Sequence, residues 1–146
     1  MTKLDSEFTC EVVEVVEILP HPNADRLEIA RFKFVDGTVP EYQVVVAKGD
    51  FKPASWGVYI SDDSIVSTEK PQFSFLEKRL DYLVGSKSYR IKAAKIRGTL
   101  STGMMLHFEE LPSDFKRGAG VGTDCSAALG VVRYVRPEDV VVEHEV

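Results

Sequence analysis

The sequence predicts an all-β domain, a small five-stranded antiparallel barrel with one or two short helices. Valine, isoleucine and aromatic residues recur in short runs with polar neighbours interleaved. Pro, Gly, Asn and Asp punctuate those runs at short intervals, and helical spacing is confined to brief segments. The 146 residues suit one domain, and 44% hydrophobic with 28% charged residues is the composition of a folded chain. A chain of this size buries roughly 70% of the surface its unfolded form exposes, so it needs no metal or disulfide to fold.

Phe8 to Leu19 is rich in valine, with Glu11, Glu14 and Glu17 giving an imperfect alternation that suits a strand, and Pro20 and Pro22 end it. A Pro/Asn/Asp turn at 21–25 leads to a second strand, Arg26 to Phe34, closed by the Asp36-Gly37 turn signal. Tyr42 to Ala47 is a valine run too short for a helix, and Gly57 to Ile60 is a similar one. Pro71 to Leu80 has helical spacing, with Phe73, Leu76 and Leu80 at i, i+3 and i+7 and Pro71 in the first turn. Tyr89 to Ala93 alternates apolar Tyr89, Ile91 and Ala93 with Arg90 and Lys92. Gly98 and Gly103 bracket a loop, and Met104 to Phe108 is again a strand. After Leu111 the chain loosens, then forms a short helix capped by Thr123 or Asp124 and stopped by Gly130, with Val131 to Val135 as a last strand. This pattern fits the five-stranded OB-fold Greek-key barrel over residues 1–135, with 136–146 as an acidic tail or linker.

Lys and Arg number 18 against 23 Asp and Glu, a net charge of −5. The charge is unevenly spread. From Lys78 to Arg97 there are seven cations and one acid, Asp81, or +6, which leaves −11 for the remainder. One basic face on an acidic body is where a polyanion docks. Cys10 and Cys125 have neither disulfide nor zinc-knuckle spacing, and His21, His107 and His144 lack paired-ligand spacing. Met1 to Phe8 has no apolar signal core and no run approaches a membrane span, so a cytoplasmic location without membrane contact is expected.

The turn His21-Pro22-Asn23-Ala24-Asp25-Arg26-Leu27-Glu28 and the loop Lys95-Ile96-Arg97-Gly98-Thr99-Leu100-Ser101-Thr102-Gly103-Met104 together resemble OB domains of the tRNA-binding type. The intervening Val44 to Phe51, Val58 to Val66, Phe73 to Arg79 and Tyr89 to Gly98 look closer to the N-terminal OB-fold domain of ATP-dependent RNA ligases, which precedes the nucleotidyltransferase domain; Leu129 to Tyr134 resembles the approach to that domain. The resemblance covers Val12 to Tyr134 and implies an RNA-engaging module coupled to an enzyme that joins a 3′-hydroxyl to a 5′-phosphate. Ligases of this class form a lysyl-adenylate at a Lys-x-Asp-Gly signature. The nearest string, Lys48-Gly49-Asp50-Phe51, lacks the last glycine, so no catalytic residue is expected in this chain. No cofactor or metal is expected in it either; ATP and Mg belong to an associated ligase domain, in cis or in trans.

The candidate nucleic-acid contacts are Lys87, Arg90, Lys92, Lys95, Arg97, Gly98, Ser101 and Gly103. Arg90 and Lys92, two apart on a strand, share a face in reach of a phosphate backbone. Glycine brings backbone amides close to phosphate, Arg97 adds a forked cation and Ser101 a hydroxyl. A solvated strand face and a plain tight turn use the same residues. Tyr42, Trp56, Tyr59, Phe73, Phe75 and Tyr89 are candidates for base stacking or for the core, and Asp62 and Asp63 for magnesium or a solvated turn. The expected partner is RNA, single-stranded, nicked or tRNA. The alternatives are a tRNA-binding appendage of a synthetase-associated or chaperone type, and a protein-interaction domain.

Overall fold

A computed structural model of the chain describes residues 8–79, 83–85 and 87–135; the expected acidic tail at 136–146 and the end of the 71–80 segment lie outside them. The strands are β1 (Cys10–Pro20), β2 (Leu27–Lys33), β3 (Val44–Ala47), β4 (Trp56–Ile60), β5 (Ser64–Ser67), β6 (Leu83–Gly85), β7 (Ser88–Ile91), β8 (Ala94–Ile96), β9 (Thr99–Ser101), β10 (Met104–His107) and β11 (Val132–Arg133). Two short α-helices follow β10, α1 (Ser113–Arg117) and α2 (Ser126–Leu129), and two 3₁₀ turns cover Ser74–Lys78 and Phe108–Glu110.

The barrel is the antiparallel five-stranded sheet β10-β4-β1-β2-β3. Its length lets β1 serve two neighbours: Cys10 to Glu14 pairs with β4, and Glu14 to Pro20 pairs with β2, with a register slip between Val15 and Glu17. Such a slip bends a strand and lets a small sheet curl on itself. The gap between edge strands β3 and β10 is narrowed by the chain around β9, where Thr102 N–H donates to the Gln43 carbonyl at 2.8 Å.

The imperfect alternation of β1 has a structural cause. Val13 and Val15 join Phe32, Phe34, Val44 and Tyr59 in one apolar cluster, while Cys10 and Val12 join Val58, Ile60, Tyr89, Ile91 and Leu129 in another. β1 and β4 are therefore buried on both faces, one turned into the barrel and one covered by the chain that follows β4. Strands buried on both faces read as continuous valine runs.

A second antiparallel sheet, β11-β5-β7-β6, and the separate β8–β9 hairpin fill the sequence between β4 and β10, with β11 added from the C-terminal end. The basic strand thus lies outside the barrel sheet and ends at Ile91, two residues short of the expectation. The expected helix at 71–80 is a single 3₁₀ turn over Ser74–Lys78. With three residues per turn, Phe73 and Leu76 eclipse on one side, and both are buried. The bracketed loop after Gly98 contains β9, whose three residues are too few for a periodicity signal. α2 stops at Gly130 as the sequence indicates, and Asp124 Oδ1 accepts the Ser126 N–H at 2.9 Å. α1 was not foreseen: it starts straight after Pro112 in a stretch without apolar spacing.

Candidate nucleic-acid interface

The two segments that carry the resemblance touch each other. Arg97 and Gly98, at φ 53° and 87°, form the two-residue turn joining β8 to β9, with Ile96 opposite Thr99. Two consecutive positive φ angles are what a tight type I′ hairpin requires. The Asn23 side-chain amide donates to the Arg97 carbonyl at 3.1 Å, and an Arg97 guanidinium nitrogen reaches the Asn23 carbonyl at 3.5 Å. His21 is buried beneath them. Its Nδ1 accepts the Asn23 backbone N–H at 2.9 Å, so its proton sits on Nε2, which donates to the Ile96 carbonyl at 2.9 Å. The turn after β1 is thereby a latch on the β8–β9 hairpin. His21 and Asn23 serve as turn and latch groups, in keeping with the Pro/Asn/Asp chemistry of the segment.

That hairpin forms one wall of a groove of about 550 Å³. Val44, Val45 and Val46 of edge strand β3 line it with Tyr89 and Ile91 of β7. Lys92 and Lys95 line it from the segment between β7 and the hairpin turn, Phe75 from the 3₁₀ turn and Arg79 from the residue that follows that turn. Among the described residues, Asp50 is the one acid on its lining. Phe75 is 56% exposed, whereas Tyr59, Phe73 and Tyr89 are buried in the clusters. An apolar floor rimmed by three cations, with one aromatic ring open to solvent, is suited to bases on the floor and phosphates at the rim.

The eight expected contact residues separate into groups. Lys92 and Lys95 meet on the groove. Arg97 and Gly98 stand exposed at the hairpin tip. Lys87 is not among the groove-lining residues, and its ammonium is 3.9 Å from Glu77.

Arg90 does not share the face of Lys92. Strand alternation turns it away from Tyr89 and Ile91, and Asp63 Oδ1 accepts from its Nε at 3.1 Å and its Nη2 at 2.8 Å. The Tyr134 ring lies 3.8 Å from the guanidinium carbon. Arg90 therefore ties β7 to the β4–β5 turn and to the segment after β11, and Asp63 is committed to that ion pair rather than to a metal. Burial, and then the neighbouring Asp63 charge, push the Asp62 carboxyl above its ordinary range.

Ser101 and Gly103 border the groove but act as barrel parts. Ser101 is 4% exposed, and its Oγ accepts the Val45 N–H at 2.9 Å, tying β9 to the free edge of β3. Gly103, at φ 87°, lies so close to β4 that a Cβ would stand 2.5 Å from Tyr59 Oη and 2.6 Å from the Ile60 carbonyl oxygen. Glycine here permits this close packing against β4.

Sequence reasoning offers Phe75 only as one of six stacking candidates without singling it out, and assigns no contact to Arg79. The signal for Phe75 was available: it is the aromatic that falls off the Phe73–Leu76 stripe. Both cysteines are free and buried; burial raises the Cys10 thiol strongly and Cys125 to about 11, so both are protonated and weakly nucleophilic near neutral pH. Among the described residues, no group of three or more His, Cys, Asp or Glu could hold a metal ion, and no helix is long and apolar enough to cross a membrane.

Barrel topology and groove together define an OB-fold domain. Residues 9–108 match the family model described as an OB-fold domain, and the chain belongs to that family. In sequence it is 31% identical over 131 residues to the phenylalanine-tRNA ligase beta subunit of Chlorobaculum tepidum, which takes in 88% of this chain and 14% of the subunit. In structure it is similar to an RNA ligase of Naegleria gruberi in its apo form, with TM-score 0.74 and 25% identity over 94% of this chain and 37% of the ligase. A form of that ligase with ATP and Mn gives TM-score 0.73 and 26% identity over 90% of this chain and 36% of the ligase. The chain thus spans little more than a third of the ligase and about a seventh of the synthetase subunit.

Proposed function

We propose that this OB-fold domain is a non-catalytic RNA-binding module of the RNA-ligase kind. It presents RNA for 3′-hydroxyl to 5′-phosphate joining by a nucleotidyltransferase domain that is not among these residues. The observation that carries the reading is the groove, where Lys92, Lys95 and Arg79 surround an apolar floor beside the exposed Phe75 ring. Phosphates are held at the cationic rim, while a base stacks on Phe75, the aromatic that the fold leaves open at this site. The Lys48-Gly49-Asp50-Phe51 string, an exposed turn after β3 that leads into the buried Phe51, lacks the signature of an adenylated lysine. Incubation with labelled ATP is accordingly expected to leave no covalent label on the chain.

The decisive experiment is fluorescence anisotropy with end-labelled single-stranded RNA. Lys92→Glu combined with Lys95→Glu is expected to weaken binding by more than about tenfold, since each lost phosphate contact is replaced by a repelling charge. The circular-dichroism spectrum is expected to stay unchanged. Unaltered affinity at low salt would refute the reading.

A second reading, a tRNA-binding domain of a synthetase-associated type, is favoured by the 31% identity to the synthetase subunit. Competition between folded tRNA and nicked or single-stranded RNA separates the two: preference for tRNA selects the second.

A further inference from the structure

We propose that the chain has a second base-stacking position at Trp56, and that a single RNA strand held in the Lys92–Lys95 groove continues to it past Asp50. The inference rests on the groove reading and extends its footprint. Trp56 opens β4, whose other four residues are all buried, yet this residue is 42% exposed. Phe108 holds the indole in a T-shaped contact at 5.2 Å, and that geometry covers at most one face of the indole.

Beside the ring lies a hollow of about 520 Å³ lined by Trp56, Phe108, Lys52, Ser55, His107 and Asp50, among others. Asp50 lines the groove as well, so the two depressions adjoin at this residue. Glu109, at the edge of the hollow, is taken up by Lys116 at 2.8 Å. The shelf that carries Lys52 is held in place. Ala54 N–H donates to the Val15 carbonyl at 2.7 Å, and Ser55 Oγ donates to the Lys52 carbonyl at 2.6 Å.

The resulting track runs from the Phe75 ring, across the cations of the groove, past Asp50 to Lys52 and Trp56. Alternation of π-faces and cations along one path is what an unpaired strand requires. A duplex hides its base faces and cannot use the two rings.

Trp56 is the single tryptophan of the sequence, so fluorescence excited selectively at tryptophan, beyond the tyrosine absorption band, reports on this ring alone. Two end-labelled oligouridylates are titrated, one of about three nucleotides and one of about ten, a length within the span an OB barrel engages. Both are expected to raise the anisotropy, and only the longer to quench Trp56. Trp56→Ala should weaken the longer oligomer about tenfold and leave the shorter unchanged, with Trp56→Phe retaining most of the affinity, as expected for a stacking ring. Binding of the longer oligomer with neither quenching nor an effect of Trp56→Ala would overturn this inference and leave the groove standing. No anisotropy change with either oligomer would overturn the groove reading and this extension with it.

Discussion

At Gly103 two demands meet in one residue. The backbone is in the left-handed region, and the space a Cβ would fill is occupied by the Tyr59 hydroxyl and the Ile60 carbonyl. Left-handed strain and overpacking add, so Gly103→Ala is expected to destabilise the fold by about 3 kcal/mol, measured by urea unfolding. Gly98 has a similar φ, but its would-be Cβ meets only the Asn23 side-chain nitrogen at 3.3 Å. Gly98→Ala should therefore cost only about 1 kcal/mol. Equal losses at the two sites would contradict the packing role of Gly103. The same scale explains Arg90: a cation legible in the sequence as a phosphate ligand is committed to Asp63 and Tyr134, partners 27 and 44 residues away in sequence.

Among the elements, the β8–β9 hairpin is the one whose placement depends most on distant residues. It pairs with no other strand through a ladder, and His21 and Asn23 hold its turn by hydrogen bonds to Ile96 and Arg97. His21→Ala removes both ring hydrogen bonds and leaves the Ile96 carbonyl and the Asn23 N–H without those partners, a loss of about 2 kcal/mol. Amide exchange at residues 94–101 is expected to accelerate while that of β1 is unchanged. Uniform acceleration across the barrel would show that the hairpin is not a separately latched unit. The 3₁₀ turn shows how element type alters function: its three-residue period buries Phe73 and Leu76 together and leaves Phe75 facing the groove.

Across the whole molecule, a chain of net charge −5 concentrates its cations in one stretch, yet folding divides them. Arg79, Lys92 and Lys95 line the groove; Lys87 is not on its lining and lies 3.9 Å from Glu77, and Arg90 is paired with Asp63. Three phosphate contacts to a single strand correspond to a slope of about −2 for log affinity against log salt. A slope of about −3.5, measured by anisotropy across a salt series, would mean that Arg90 and Lys87 also contact RNA and that their ion pairs open on binding. A slope near zero would mean that RNA is held without phosphate contacts at the rim.

The valine-rich runs that become strands, the turn at 21–25, the stop at Gly130 and the clustering of cations were all legible in the sequence, because each depends on local chemistry: β-branched runs, Pro and Asn turns, glycine at positive φ and the count of charges. Which strands belong to the barrel, which cations keep company with carboxylates, and which aromatic stays in solvent were decided by tertiary structure alone. Those outcomes depend on contacts between residues far apart in the chain, such as Arg90 with Asp63, Ser101 with Val45, and Gly103 with Tyr59, and no window of sequence contains both partners.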